Sequence, residues 1–299
     1  MNTLQITGLK KSFGNKQVLK GLDMTVPKNS IFGFIGKNGS GKTTTMKTIL
    51  GILKADDGEI FVNGEKVVYN KTETNRHIGY LPDVPEFYPF YTAREYLLFC
   101  GDILGMSKED SNKRCDELLK LVGLEKETHR IKGFSRGMKQ RLGIAQALFA
   151  SPQLLICDEP TSALDPIGRK EILDILLSVK DKTTVLFSTH ILSDVEHICT
   201  DVALIDDGVI AFSGKIADIK SKYRSEEYLL QTENEDDMNE IDQAFCDARI
   251  TGENMLVFYP GNNIVFDLLR FVADKQISLV KIEKTEPTLE SLFLEVTKK

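Results

Sequence analysis

The sequence predicts an α/β protein with a mixed sheet core, followed by a small α+β unit. Three observations carry that reading. Ser30 to Ile35 is short and apolar, and it runs into a glycine-rich turn and then an amphipathic stretch. This is the pattern of a buried strand feeding a helix. Downstream, apolar runs of strand length alternate with helical patterns as far as Ile205, which points to a layered sheet. After about Tyr223 the chain turns acidic, from Glu226 to Glu240, and a second, shorter alternation begins. The division is therefore placed at residues 1–222 and 223–299.

The elements follow in order. Leu4 and Ile6, then Leu22, Met24 and Val26, then Ile60 and Val62 alternate with polar neighbours and read as half-buried strands. Met46, Ile49, Leu50 and Leu53 fall on one face of a helix. From Thr92 to Phe149 the pattern is helical. Tyr96, Leu97, Cys100 and Leu104 share a face, Ser107 with Asp110 resembles a capping box, and Cys115 to Val122 continue to a stop at Gly123. Strand Leu154 to Cys157, a helix opened by Pro166, strand Val185 to Ser188, a helix around Val195 and Ile198, and strand Val202 to Ile205 come next. Asp207-Gly208 reads as a hairpin turn into Val209 to Phe212. The terminal unit offers strands at 228–231, 255–259 and 277–282, helices at 238–248 and 264–273, and a last helix carrying Leu289, Leu292, Phe293 and Val296. The unit reads as a small α+β domain, with a ferredoxin-like one as the expectation.

Composition excludes several classes. Of 299 residues, 41% are hydrophobic and 27% charged, which is globular rather than disordered. The formal net charge is −6, whereas wrapping a polyanion needs a surplus of Lys and Arg; no nucleic acid is expected. Five scattered cysteines without a C-x-x-C motif predict reduced, buried thiols. The first residues lack the basic and apolar regions of a signal peptide. No stretch approaches the ~18 apolar residues of a membrane span, so action at a membrane would need another chain for the spanning.

Gly36-Lys37-Asn38-Gly39-Ser40-Gly41-Lys42-Thr43 fits G-x-x-x-x-G-K-[ST]. Glycines let successive N–H groups turn inward toward phosphate oxygens, and the following helix N-terminus favours the same anion. Lys42 then reaches the β- and γ-phosphates, the Thr43 hydroxyl ligates Mg²⁺, and Thr44 joins the nucleotide-binding set. The flanking buried strand and amphipathic helix separate this motif from a chance glycine-rich turn. Leu154 to Cys157 ends in Asp158-Glu159. Acids at the C-terminal edge of a strand face the crevice where ligands bind. Asp158 is assigned to the metal shell, and Glu159 is assigned to take a proton from the attacking water. A lone Asp-Glu is ordinarily only a polar strand end; the phosphate loop upstream removes most of the weight of that alternative.

Phe134-Ser135-Arg136-Gly137-Met138-Lys139-Gln140-Arg141 resembles the LSGGQ signature of the ATP-binding cassette (ABC) family. Other motifs match in order. Phe13 resembles the adenine-stacking aromatic, Ser162-Ala163-Leu164-Asp165 the D-loop, and His190 the switch histidine. The resemblance covers roughly residues 1–220. It implies a P-loop NTPase cassette with an antiparallel β subdomain and a helical signature subdomain. It also implies head-to-tail dimerisation, with each ATP held between the phosphate loop of one chain and the signature of another, where Ser135 and Gly137 meet it; Asp165 joins the nucleotide-binding set. Glu159, His190 and Lys42 would then be catalytic. A helix starting near Met138 would aim its N-terminus at the same phosphate. Ser135 also suits a plain helix N-cap, and both roles can hold.

Two departures stand out. Arg136 and Met138 replace the second-position Gly and the Gln of the signature, and Asp83 stands where the family usually has a Gln that contacts Mg²⁺. Asp83 is expected to reach the metal shell with Thr43 and Asp158, since carboxylates are good Mg²⁺ ligands. The aromatic run Phe87, Tyr88, Phe90 and Tyr91 is expected to be a docking surface more than core. The signature form, Asp83 and the ending Thr288 to Phe293 resemble separately encoded ATPases of antibiotic and lantibiotic exporters. This subgroup implies a separate membrane-spanning permease, a homodimer or paired ATPase, and peripheral attachment at the cytoplasmic face. The alternative is a soluble ABC ATPase acting on ribosomes or nucleic acid, which usually carries two cassettes or basic extensions. A P-loop kinase or switch protein lacks the signature.

Overall fold

In the computed structural model, residues 2–222, 228–245, 248–252, 254–258, 264–284 and 289–290 are described. Two compact units result, Met1–Ala217 and Asp218–Lys299.

In the first unit, β1 (Asn2–Phe13) and β2 (Lys16–Pro27) pair antiparallel. β3 (Ile31–Ile35) then leads through the glycine-rich turn into α1 (Lys42–Ile49). β4 (Asp57–Val62) returns antiparallel to β1, and β5 (Glu65–Lys66) pairs with β4. Next come β6 (Ile78–Leu81), α2 (Ala93–Ile103), α3 (Lys108–Leu121), α4 (Arg136–Leu148) and β7 (Leu154–Asp158). The unit closes with α5 (Pro166–Val179), β8 (Thr184–Thr189), α6 (Leu192–Ile198), β9 (Asp201–Asp206) and β10 (Val209–Lys215). α7 (Ile216–Lys222) follows.

These strands make two sheets. One is antiparallel, in the order β2-β1-β4-β5. The other has the order β10-β9-β3-β8-β7-β6, parallel except for β10. Every residue of β3, β7 and β8 is buried, which is why these segments read as unbroken apolar runs. Leu4, Leu22 and Ile60 of the antiparallel sheet join Phe32, Phe34 and Met46 in one core. The mixed sheet core, β subdomain and helical segment expected from the sequence are all present. Asp207 and Gly208 both have positive φ (43° and 80°), the geometry of a tight hairpin turn.

α4 lies unusually close to β6. A Cβ built on Gly79 would sit 2.1 Å from the Ala147 carbonyl oxygen, and one on Gly143 would sit 2.5 Å from Leu81 Cδ1. At Gly79, where the clash would be with backbone, only glycine permits that approach, and it brings α4 against the loop that leaves β6.

The second unit contains β11 (Tyr228–Thr232), α8 (Glu235–Ala244), β12 (Ala248–Gly252), β13 (Met255–Phe258), α9 (Ile264–Asp274) and β14 (Leu279–Lys284). Its sheet is antiparallel throughout, in the order β12-β13-β11-β14. That is the ferredoxin-like arrangement. Leu230, Met238, Ile241, Leu256 and Leu268 form its own core.

Three sequence expectations change. The helix read over 238–248 stops at Ala244, and Ala248 begins a strand instead. Phe245 leaves the helical pattern and packs edge-on against Phe271 at 5.6 Å. The Met46-to-Leu53 stripe is cut at Ile49, because Leu50 closes α1 and Gly51 turns the chain with φ 68°. The signature helix begins at Arg136, capped by Ser135, rather than near Met138. Tyr223, Cys246, Tyr259, Thr288, Leu292, Phe293 and Val296 lie outside the described residues; Leu289 is buried and helical.

Candidate functional site

The site is built on the turn between β3 and α1. Gly41 caps α1 with φ 115°, a conformation an L side chain resists. A Cβ on Gly36 would meet Ser40 Oγ at 2.5 Å and the Ile205 carbonyl oxygen at 2.7 Å, so the loop must start on glycine. Lys42 is nearly buried. Its Nζ donates to the carbonyls of Gly36 (2.7 Å) and Lys37 (3.3 Å) and lies 3.2 Å from Glu159 Oε1. Ser40 Oγ is buried without a hydrogen-bond partner. A hydroxyl left so inside the loop fits a ligand atom that would complete it.

The two acids sit where β7 ends. Each Asp158 oxygen accepts one hydroxyl: Oδ2 from Thr43 at 2.8 Å and Oδ1 from Ser188 at 2.7 Å. Ser188 Oγ also accepts the Glu159 N–H at 3.0 Å. One residue of β8 thus bonds the Asp158 carboxylate and the Glu159 backbone. Glu159 has φ 49°, a left-handed backbone uncommon outside glycine. Its Oε2 lies 2.9 Å from His190 Nδ1. Lys42, Glu159 and His190 therefore form one connected set.

A cavity of about 500 Å³ is lined by Asn38, Gly39, the Gly41 turn and the start of α1, together with Asp83, Asp158 and Glu159. Asp83 follows β6. Its Oδ1 lies 3.3 Å from Arg136 Nη2, and its carbonyl accepts from Gln140 Nε2 at 2.6 Å. Burial raises the Asp83 pKa; Arg136 works against that rise, while Asp158 and Glu159 add to it. Burial and the Asp158 charge likewise push the Tyr80 phenol up to about 12. Among the described residues no three His, Cys, Asp or Glu side chains gather into a protein-only metal cage. Mg²⁺ does not demand one, because phosphate and water supply most of its ligands. The adjoining Thr43 hydroxyl and Asp158 carboxylate are hard oxygen donors and fit it.

Ser135, Gly137 and Asp165 lie elsewhere. They line a second cavity of about 350 Å³ whose walls share no residue with the first. Ser135 Oγ accepts the Met138 N–H at 3.2 Å and caps α4; Asp165 Oδ1 accepts the Gly168 N–H at 2.7 Å and caps α5. Phe13, half exposed at the end of β1, lines neither cavity, and Lys11 Nζ lies 5.4 Å from its ring centre.

Residue types and spacing alone missed three contributors. Ser188 read only as a strand residue. Gln140 read only as part of the signature. Asp194 is buried, pairs with Arg169 at 2.5 Å and accepts the Thr161 hydroxyl at 2.7 Å, so it ties α6, which follows His190, to the segment after Glu159. Each contact joins residues at least 25 apart in the chain, beyond any local signal.

Comparison with known proteins gives a consistent picture. Residues 19–162 match the family described as ABC transporter, and residues 214–297 match the C-terminal domain of ATP-binding protein DrrA1-3-like. The bacitracin transport ATP-binding protein BcrA of Bacillus licheniformis is 36% identical, over 98% of this chain and 96% of its own. The linearmycin resistance ATP-binding protein LnrL of Bacillus subtilis (strain 168) is 32% identical, over 98% of both. A solved ATP-binding subunit of an ABC transporter superposes with a TM-score of 0.66 at 30% identity, covering 74% of this chain and 93% of its own.

Proposed function

The chain belongs to the ATP-binding subunits of ABC transporters, and from that premise we propose that it hydrolyses ATP between two copies of itself and so drives export through a separate membrane subunit. The observation that carries this reading is the separation of the two cavities. The phosphate loop, Asp158 and Glu159 line one; Ser135, Gly137 and Asp165 line the other. One chain presents two halves, and a head-to-tail pair would bring each half against its complement.

The chemistry follows from the residues. Backbone N–H groups of Gly36 to Thr44 and the Lys42 ammonium hold the β- and γ-phosphates. Lys42 must exchange its contacts to Gly36, Lys37 and Glu159 for that purpose. Thr43, Asp158 and Asp83 would hold Mg²⁺, which when bound neutralises charge on the phosphates. Glu159 accepts a proton from the attacking water, and His190, bonded to it, keeps the carboxylate aimed. Ser135 and Gly137 of the second chain close on the γ-phosphate, and Phe13 stacks on adenine.

Among the described residues no helix is long and apolar enough to cross a membrane, so a separately encoded permease does the spanning and this subunit sits on its cytoplasmic side. The bacitracin and linearmycin relatives support a drug-type cargo. The residues beyond 222 form an accessory domain of the DrrA-like kind. The test is Glu159→Gln. The variant is expected to bind ATP, to lose about 10²–10⁴-fold in turnover and to accumulate as a dimer by light scattering. Wild-type turnover would remove Glu159 as the base. Recovery from cells with ribosomes instead of a polytopic membrane protein would remove the transport reading.

A further inference from the structure

Two departures from the ABC pattern, Asp83 and Arg136, touch each other, and this contact joins the two cavities. Arg136 lines the cavity that holds Ser135 and Gly137. Its guanidinium lies 3.3 Å from the Asp83 carboxylate, which lines the phosphate cavity. Gln140 sits one turn further along α4, on the same helical face. It is fully buried, and its Nε2 donates to the Asp83 carbonyl at 2.6 Å. Its Oε1 is buried with no hydrogen-bond partner. A buried amide with one end unsatisfied costs stability, so this glutamine is held for its contact with Asp83. The close α4–β6 approach at Gly79 and Gly143 sets the distance at which both contacts form.

We propose that Arg136 and Gln140 are positioning residues that grip Asp83 from α4, Arg136 on the carboxylate and Gln140 on the carbonyl, so that Mg²⁺ and Arg136 compete for the same carboxylate. The proposal rests on the reading of the phosphate cavity as the Mg²⁺–nucleotide site. Both side chains of the ion pair are about half exposed, 48% for Asp83 and 42% for Arg136. Such a pair is weak, as an exchangeable contact must be. When the metal takes Asp83, the Arg136 charge is released between Ser135 and Gly137, on the surface that meets the second chain's nucleotide. Metal binding in one cavity thereby changes the charge presented by the other. A glutamine at position 83 would have no charge to exchange with Arg136.

The test is a binding cycle without turnover. The readout is the Mg²⁺ concentration for half-maximal gain in affinity for a fluorescent non-hydrolysable ATP analogue, relative to EDTA. Arg136→Gln is expected to lower that concentration by up to about fivefold, the upper end for an exposed pair. Arg136→Lys, which keeps a cation, stays near wild type. In an Asp83→Asn background Arg136→Gln shifts nothing further, and in a Gln140→Met background its shift shrinks. An equal shift with and without the Asp83 carboxylate would mean a general charge effect and would overturn the competition. An undiminished shift in Gln140→Met would overturn the grip by Gln140. A wild-type chain that binds the analogue identically in Mg²⁺ and EDTA would overturn the metal-site reading itself, and the proposal with it.

Discussion

Glu159 takes a backbone conformation with φ 49°, which costs a non-glycine residue about 1 kcal/mol or more. Ser188, Lys42 and His190 hold it there. Contacts from α1 and from the end of β8 thus converge on a strained residue, which supports a chemical role for it. Other residues are shaped mainly by burial. Cys100 and Cys115 are pushed up to about 11, chiefly by burial, and burial with nearby acids also raises Cys157 and Cys199. A raised thiol pKa leaves less thiolate, the reactive form. At pH 8 a thiol near 11 is about one part in a thousand ionised. In a Cys246→Ser background, iodoacetamide at pH 8 is expected to label all four only after unfolding in urea. Fast labelling of Cys157 in the folded protein would contradict its place in β7. The same shifts give a sign for stability. The neutral thiols favour the fold at neutral pH, and that contribution falls as pH rises from about 9 toward 11.

At the scale of elements, the helical segment depends on its caps. Thr92 accepts the Glu95 N–H at 3.2 Å, and Glu95 accepts the Thr92 N–H at 2.8 Å, a reciprocal capping box at the start of α2. These bonds to Thr92 hold the Glu95 carboxyl below its usual range, so the cap is intact above about pH 4 and weakens as acid protonates Glu95. Thr92→Ala is expected to cost about 1 kcal/mol, read as a lower midpoint in urea; an unchanged midpoint would show the cap to be idle. The Ser107 cap was legible in the sequence because Asp110 stands three residues on. Thr92 and Glu95 have the same spacing, at the residue where the helical pattern of the sequence begins. The buried strands were legible as apolar runs. β12 was not, because only its pairing with β13 separates it from a continued helix. Helix and strand periods cannot be told apart over five residues.

At the scale of the molecule, the aromatic run after Asp83 divides. Phe87 turns inward and meets Tyr96 edge-on at 5.1 Å. Tyr88 and Phe90 are more than half exposed and lie against each other, and Val84, four residues before Tyr88, is exposed too. That outward pair is the part of the run suited to a membrane subunit. Replacing Tyr88 and Phe90 by Ser is expected to leave ATP-analogue affinity unchanged and to abolish recovery with membranes; retained recovery would move the docking surface elsewhere. The phosphate loop, the Asp158-Glu159 strand end and the signature were determined by the sequence alone, since each is a local pattern whose chemistry follows from its spacing. What only the tertiary structure decided were the contacts across the chain: Ser188 under both acids, Asp194 tying the helix after His190 to the segment after Glu159, and Arg136 with Gln140 on Asp83. A close contact between distant residues is set by which faces pack, and no local period in the chain encodes it.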